Sequence, residues 1–166
     1  MFRFFKLFGE QYIGFWLLGL ILFAVQEIPY MVIPLFRLGS DPIMHMKESS
    51  AVLDVLEKVL GSLCIALMAF VVHKDAEFFA VGSGSAKLFF WLAAAVLLLN
   101  FAGWGLYFAG HQTFFVMMFF IVLLPPLYYV FIGLWRNNIP LTAVGAVFLI
   151  VHFVHVWGNL KLDETL

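Results

Sequence analysis

The sequence predicts an all-α protein, a polytopic five-helix transmembrane bundle, and three observations carry that expectation. Of 166 residues, 64% are hydrophobic and only 11% charged, with a mean hydropathy of +1.05, whereas ordinary soluble domains carry about 25% charged residues. Five apolar stretches follow one another at residues 12–36, 51–72, 86–109, 114–135 and 139–158, each near the ~20 residues that a membrane-spanning helix needs. The separators between them are helix punctuation, with no internal repeat and no composition shift, so residues 1–166 read as one transmembrane domain.

The first stretch is preceded by Arg3 and Lys6, a charge pattern shared with signal peptides. Its apolar run continues to Phe36, longer than a signal-peptide core, so it reads as a retained span. Pro29 and Pro34 lie inside it, and Gly39-Ser40-Asp41-Pro42 is turn chemistry. Ser50 is placed to cap the second helix, with Asp54 and Glu57 in its early turns, where a helix N-terminus favours negative charge. Gly82-Ser83-Gly84-Ser85 breaks the chain before the third span. Thr113 caps the fourth, which contains Pro125-Pro126, and Asn138 caps the fifth, with Pro140 in its first turn. Arg3, Lys6, Lys74, Lys87 and Arg136 fall on one side of such a bundle, and Arg37, Lys47, Lys58 and Lys161 on the other. That balance predicts an integral membrane protein, of the cytoplasmic membrane if bacterial, with its N-terminus inside and C-terminus outside.

Composition also excludes function classes. The formal net charge is −1 and no Lys/Arg block exists, which argues against a nucleic-acid partner. Cys64 is a single cysteine in an apolar run, so it forms neither an internal disulfide nor a thiolate metal site. Nothing resembles a Ser-His-Asp set or a phosphate-cradling glycine loop, and no catalytic residue is assigned.

The unusual chemistry is polar and lies within the apolar stretches. Gln26 and Glu27 sit inside the first span, and an ionisable residue there is a functional-site hypothesis by default. Spans one, three and five run the same way, so Glu27, Asn100, His152 and His155, each past the middle of its span, fall in one half of the bilayer. Asn100, Trp104, Tyr107 and His111 share a helical face, as do His152, His155 and Asn159, and Tyr30 lies one turn after Glu27. Asp54 and Lys58 form an i,i+4 pair. The primary ligand- or proton-binding candidates are therefore Glu27, Asn100, Trp104, Tyr107, His152 and His155. Gln26, Tyr30, Asp54, Glu57, His111 and Asn159 form a surrounding set.

Phe23-Ala24-Val25-Gln26-Glu27, followed by Pro34-Leu35-Phe36 and by a histidine near the end of the last span, resembles a group of small bacterial multi-span membrane proteins named for an HXXEE motif, of unknown function. Phe23 stands where that motif has histidine and Gln26 where it has its first glutamate, so only Glu27 carries over. The resemblance implies a compact membrane protein and no activity.

These residues suggest small-molecule binding or proton-coupled transport, with Glu27 as the protonatable centre, His152 and His155 as its partners, Asn100 orienting one of them, and Trp104 and Tyr107 as a pocket wall. The alternatives are an intramembrane enzyme that uses Glu27 and a histidine as acid and base on a lipid-like substrate, or an accessory subunit without chemistry. No cofactor is expected. The one set that could hold a metal ion is Glu27, His152 and His155. The expected partners are the lipid bilayer and a second copy or another membrane subunit.

Overall fold

The computed structural model describes residues 2–36, 38 and 41–164, with the side chains of 162–164 excepted. Arg37 and the Gly39-Ser40 half of the predicted turn lie outside the described residues. The chain opens on a β-hairpin. β1 (Phe2–Phe8) pairs antiparallel with β2 (Gln11–Phe15), and Gly9 between them takes a φ of 48°, a left-handed conformation that glycine adopts without a Cβ clash. β2 also pairs antiparallel with β3 (Val71–His73), giving a three-stranded sheet in the order β1-β2-β3. Gly14 sits in the middle strand, where a Cβ would meet the Phe2 carbonyl and, at 2.6 Å, the Val72 side chain.

The all-α expectation is corrected to a predominantly helical chain with a small sheet. The predicted first span, 12–36, loses its start to β2: Tyr12, Ile13 and Phe15 are good strand formers, and β3 offers them a ladder that sequence hydropathy does not reveal. Five helices follow: α1 (Leu17–Val32), extended by a 3₁₀ turn at Ile33–Leu35, α2 (Ala51–Phe70), α3 (Gly84–Phe108), α4 (Phe114–Trp135) and α5 (Ile139–Glu164). The predicted caps are in place. Ser50 Oγ accepts from Leu53 N at 3.4 Å, Thr113 Oγ1 from Val116 N at 3.3 Å, and Asn138 Oδ1 from Leu141 N at 3.0 Å.

Four of these helices, α1 with its 3₁₀ extension, α3, α4 and α5, are long and apolar enough to cross a membrane. α2 falls outside that group because Asp54, Glu57 and Lys58 crowd its first two turns. It nonetheless runs between the same two ends of the bundle as the others. At the sheet end, Trp16 N, just before α1, donates to Ala69 O in the last turn of α2 at 2.8 Å, and Asn138, just before α5, donates to Leu67 O and Val71 O. At the opposite end, Tyr107 near the end of α3 donates to Asp41 at 2.6 Å, and Ser49 N, just before α2, donates to Asn159 late in α5 at 2.8 Å. Neighbouring helices in sequence are thus antiparallel.

α4 is not a plain α-helix. Residues 117–122 are wound as a π-helix, with Leu123 N donating to Met118 O, and Pro125-Pro126 follows at once. In that i→i+5 register the donor for the Phe120 carbonyl would be Pro125, which has no N–H. Asn100 Nδ2 supplies the missing bond at 2.7 Å.

The sheet end is closed by charge as well. Lys74 pairs with Glu10, and His73 Nε2 lies 3.0 Å from the other Glu10 oxygen. The Lys74 ammonium, with His73 beside it, holds the Glu10 carboxyl below its ordinary value, and Glu10 in turn raises Lys74. A depressed carboxyl contributes stability that is present above the unfolded value, ~4.3, and lost as pH falls through the folded one. A raised ammonium contributes stability present below ~10.4 and lost as pH rises through its folded value. Both groups are exposed, so salt weakens the clasp. The expected result is that the protection of amides across β2 and β3, taken relative to the intrinsic exchange rate at each pH, falls on going from about pH 6 to about pH 3 in the native protein. Glu10→Gln is expected to flatten most of that change.

Candidate functional site: a cavity between four helices

A cavity of about 330 Å³ lies between α1, α2, α4 and α5, capped by Ile43, Met44 and Met46 of the segment before α2. α1 lines it with Gln26, Glu27 and Tyr30, α2 with Glu57, Gly61 and Ile65, and α5 with Phe148, His152 and Val156. These sets follow helical spacing: Glu57, Gly61 and Ile65 at i,i+4,i+8, and Phe148, His152 and Val156 likewise, so each helix turns one stripe to the same space. α4 contributes Ile121, Val122, Pro125 and Tyr129, from its π-wound and proline-bearing part. Among the described residues no lysine or arginine lines the cavity.

The carboxylate that meets the histidines is Glu57. His155 Nδ1 lies 2.5 Å from Glu57 Oε2, and His152 Nδ1 lies 3.2 Å from Oε1. The first is a hydrogen bond; the second is close enough for an ion pair but is not aligned as a hydrogen bond. The state of His155 follows from its neighbours. Ser49 N–H can only donate, so it fixes the Asn159 oxygen toward itself. The Asn159 amide nitrogen therefore faces His155 Nε2, at 3.3 Å, and Nε2 accepts. The proton of the neutral ring is then on Nδ1, donated to Glu57. His155 is fully engaged, and His152, half-buried at the cavity wall, is the histidine with hydrogen-bonding capacity left.

This chain makes its own prediction. Histidine-selective ¹⁵N spectra are expected to show His155 as the Nδ1–H tautomer. Asn159→Leu removes the acceptor for Ser49 N–H, and is expected to cost about 1–2 kcal/mol and to raise amide exchange at Ser49 and the cap above the cavity.

Several expected placements are corrected. Asn100 orients no histidine; it is spent on the Phe120 carbonyl, as the π-wound turn of α4 requires. Trp104 and Tyr107 do not line the cavity. Trp104 is buried behind Tyr30, ring centroids 4.7 Å apart, and Tyr107 is buried with its hydroxyl on Asp41 and on Ile43 N. Tyr107 therefore holds the capping segment in place. Glu27 is not the histidines' partner; its hydrogen-bond neighbour among the described residues is Gln26, whose Nε2 lies 3.4 Å from Glu27 Oε1. The metal set Glu27, His152 and His155 does not converge, because Glu57 takes both imidazoles. Asp54 pairs with Lys58 at 2.7 Å on an outer face, and His111 is exposed on the link to α4.

Sequence reasoning ranked Glu57 behind Glu27 and missed Gly61, Tyr129, Phe148, Asp41 and Ser49. The i,i+4 stripe on α2 could have raised Glu57 and Gly61. Asp41 and Ser49 carry no such signal, since they act through a segment without helical period. Among the described residues, one trio of histidine and carboxylates has ligand atoms within 4.8 Å of one another: Glu10, His73 and Asp75, on the sheet. Lys74 already neutralises Glu10 there.

No family model, curated protein or solved structure matches this chain.

Proposed function

We propose that the chain is an integral membrane protein whose five helices all cross the bilayer, and that it binds a small molecule in the cavity, exchanging protons with it at Glu27 and His152. The observation that carries this reading is the convergence of Glu27 from α1, Glu57 from α2 and His152 from α5 on one space. Carboxylates and imidazoles at membrane depth are costly to place, and they mark binding sites or proton routes when they share a cavity. α2 supports its role as a fifth span: its 20 residues reach about 30 Å, close to the hydrocarbon thickness, and its charges cluster at one end. Arg3, Lys6, Lys74, Lys87 and Arg136 gather at the sheet end, against Lys47, Lys58 and Lys161 at the other among the described residues, which favours the sheet facing the cytoplasm.

The test uses purified full-length protein in detergent and a panel of neutral, cationic and anionic small molecules. At least one compound is expected to raise the unfolding temperature, with proton uptake or release that Glu27→Gln reduces. If no compound of any charge shifts the melting curve, the cavity is a packing defect and the polar groups serve only helix association.

A further inference from the structure

The charges around the cavity are unequal, and the inequality selects a ligand. Glu57 is answered by His155 N–H and by His152. Glu27 has no cation within ion-pair distance among the described residues, and its one hydrogen-bond neighbour is a neutral amide. That amide belongs to Gln26, which is buried and lines the same cavity, and its Oε1 has no hydrogen-bond partner among the described residues. Gln26 thus presents a buried acceptor oxygen without a donor, which is costly, and beside it stands the half-buried Glu27 carboxylate, met only by the Gln26 amide. Among the described residues no lysine or arginine lines the space to satisfy them.

The rest of the wall is aromatic and apolar: Tyr30, Tyr129 and Phe148, with Ile65 and Val122. Aromatic faces attract cations and stack on flat apolar groups. A volume of about 330 Å³ is at the small end of ligand cavities, ~300–1,000 Å³. Resting on the small-molecule reading above, we infer that the ligand is a small protonated amine with an aromatic or similarly apolar body. Its ammonium N–H groups donate to Glu27 and to Gln26 Oε1, and its body lies against Tyr30, Tyr129 and Phe148. An anionic ligand would face two carboxylates with no lysine or arginine among the described lining residues to meet it. A neutral one would leave the Glu27 charge unanswered.

The experiment is calorimetric titration of the full chain in detergent with three probes of one shape: 2-phenylethylamine, 2-phenylethanol and 3-phenylpropanoate. The amine is expected to bind, and the alcohol and the acid to bind at least about tenfold more weakly, the size of one charge-assisted hydrogen bond. Glu27→Gln is expected to weaken the amine by a similar factor and leave the alcohol unchanged. Gly61→Leu, which grows a side chain at the cavity wall near Phe148, is expected to block the amine. Binding of the alcohol or the acid as tight as the amine, and blocked by Gly61→Leu, overturns the amine assignment while the cavity reading stands. Binding of none of the three, with no response from any member of the wider panel, overturns both. Should Glu27→Gln fail to fold, the ranking of the probes on the native protein decides alone.

Discussion

Asn138→Ala is expected to lower the stability of the protein by about 2–4 kcal/mol, with the loss centred on the sheet end of the bundle. The side chain is buried and makes three bonds that tie separate elements together. Its Nδ2 donates to Leu67 O at 2.9 Å and to Val71 O at 2.8 Å, and its Oδ1 caps α5 through Leu141 N at 3.0 Å. Leu67 O keeps a second partner, the Val71 N–H that ends α2, so the loss is less than three independent bonds. Losing an N-cap costs about 0.5–2 kcal/mol, and leaving a buried acceptor unpaired about 1–3 kcal/mol. Asn138→Asp separates these parts: it keeps the cap but points a carboxylate at two carbonyls, so it is expected to be worse than alanine. Thermal or denaturant unfolding in detergent, with amide exchange read at Val71–His73, checks both. A loss below about 0.5 kcal/mol for alanine would mean that water replaces the side chain and the end is open.

The number of helices, the limits of the middle three within two residues and three of the caps were legible because hydropathy and capping are local properties; the start of α1 and the end of α5 were misplaced by about five or six residues. Ser50, Thr113 and Asn138 cap the helices that their neighbours predict. The hairpin was not legible, because Tyr12–Phe15 is apolar enough to read as the start of a span and its β partner, Val71–His73, is remote in sequence. Its local signal was weak: Arg3 and Lys6 stand three apart among Phe and Leu, so no period-2 alternation shows, and β1 pairs with β2 through two register shifts; Gly9-Glu10 alone reads as a turn. In the site, the set of polar helices was legible from depth and phase, yet the pairing was not. Glu27 and Glu57 are both acidic residues on apolar helices, and which of them meets the histidines is decided by how α2 packs on α5. Trp104 and Tyr107 share a face with Asn100, as the spacing implied. That face turns to α4 and to the capping segment, because the π-wound turn needs Asn100 and the cap needs Tyr107.

Glu57 separates a structural role from a protonic one more sharply than any other position. Glu57→Leu removes the acceptor for the buried His155 Nδ1–H and the counter-charge beside His152. It is expected to destabilise the bundle by about 2–4 kcal/mol, since a hydrogen bond to a charged group is worth about 1.5–3 kcal/mol and the orphaned donor adds its own penalty. Glu57→Gln is nearly the same shape and behaves differently. Its amide oxygen accepts from His155, whose tautomer Asn159 and Ser49 still fix. Its amide NH₂ then faces His152 Nδ1, in the place of the oxygen that lies 3.2 Å from it. The fold is expected to lose less than about 1 kcal/mol, while position 57 can no longer hold or release a proton. Unfolding curves and the proton count on ligand binding, measured on both variants, test the two roles independently. Equal stability loss for Gln and Leu would show that the carboxylate charge, and not its acceptor geometry, holds α2 against α5. An unchanged proton count in Glu57→Gln would leave proton exchange with Glu27 and His152, without Glu57.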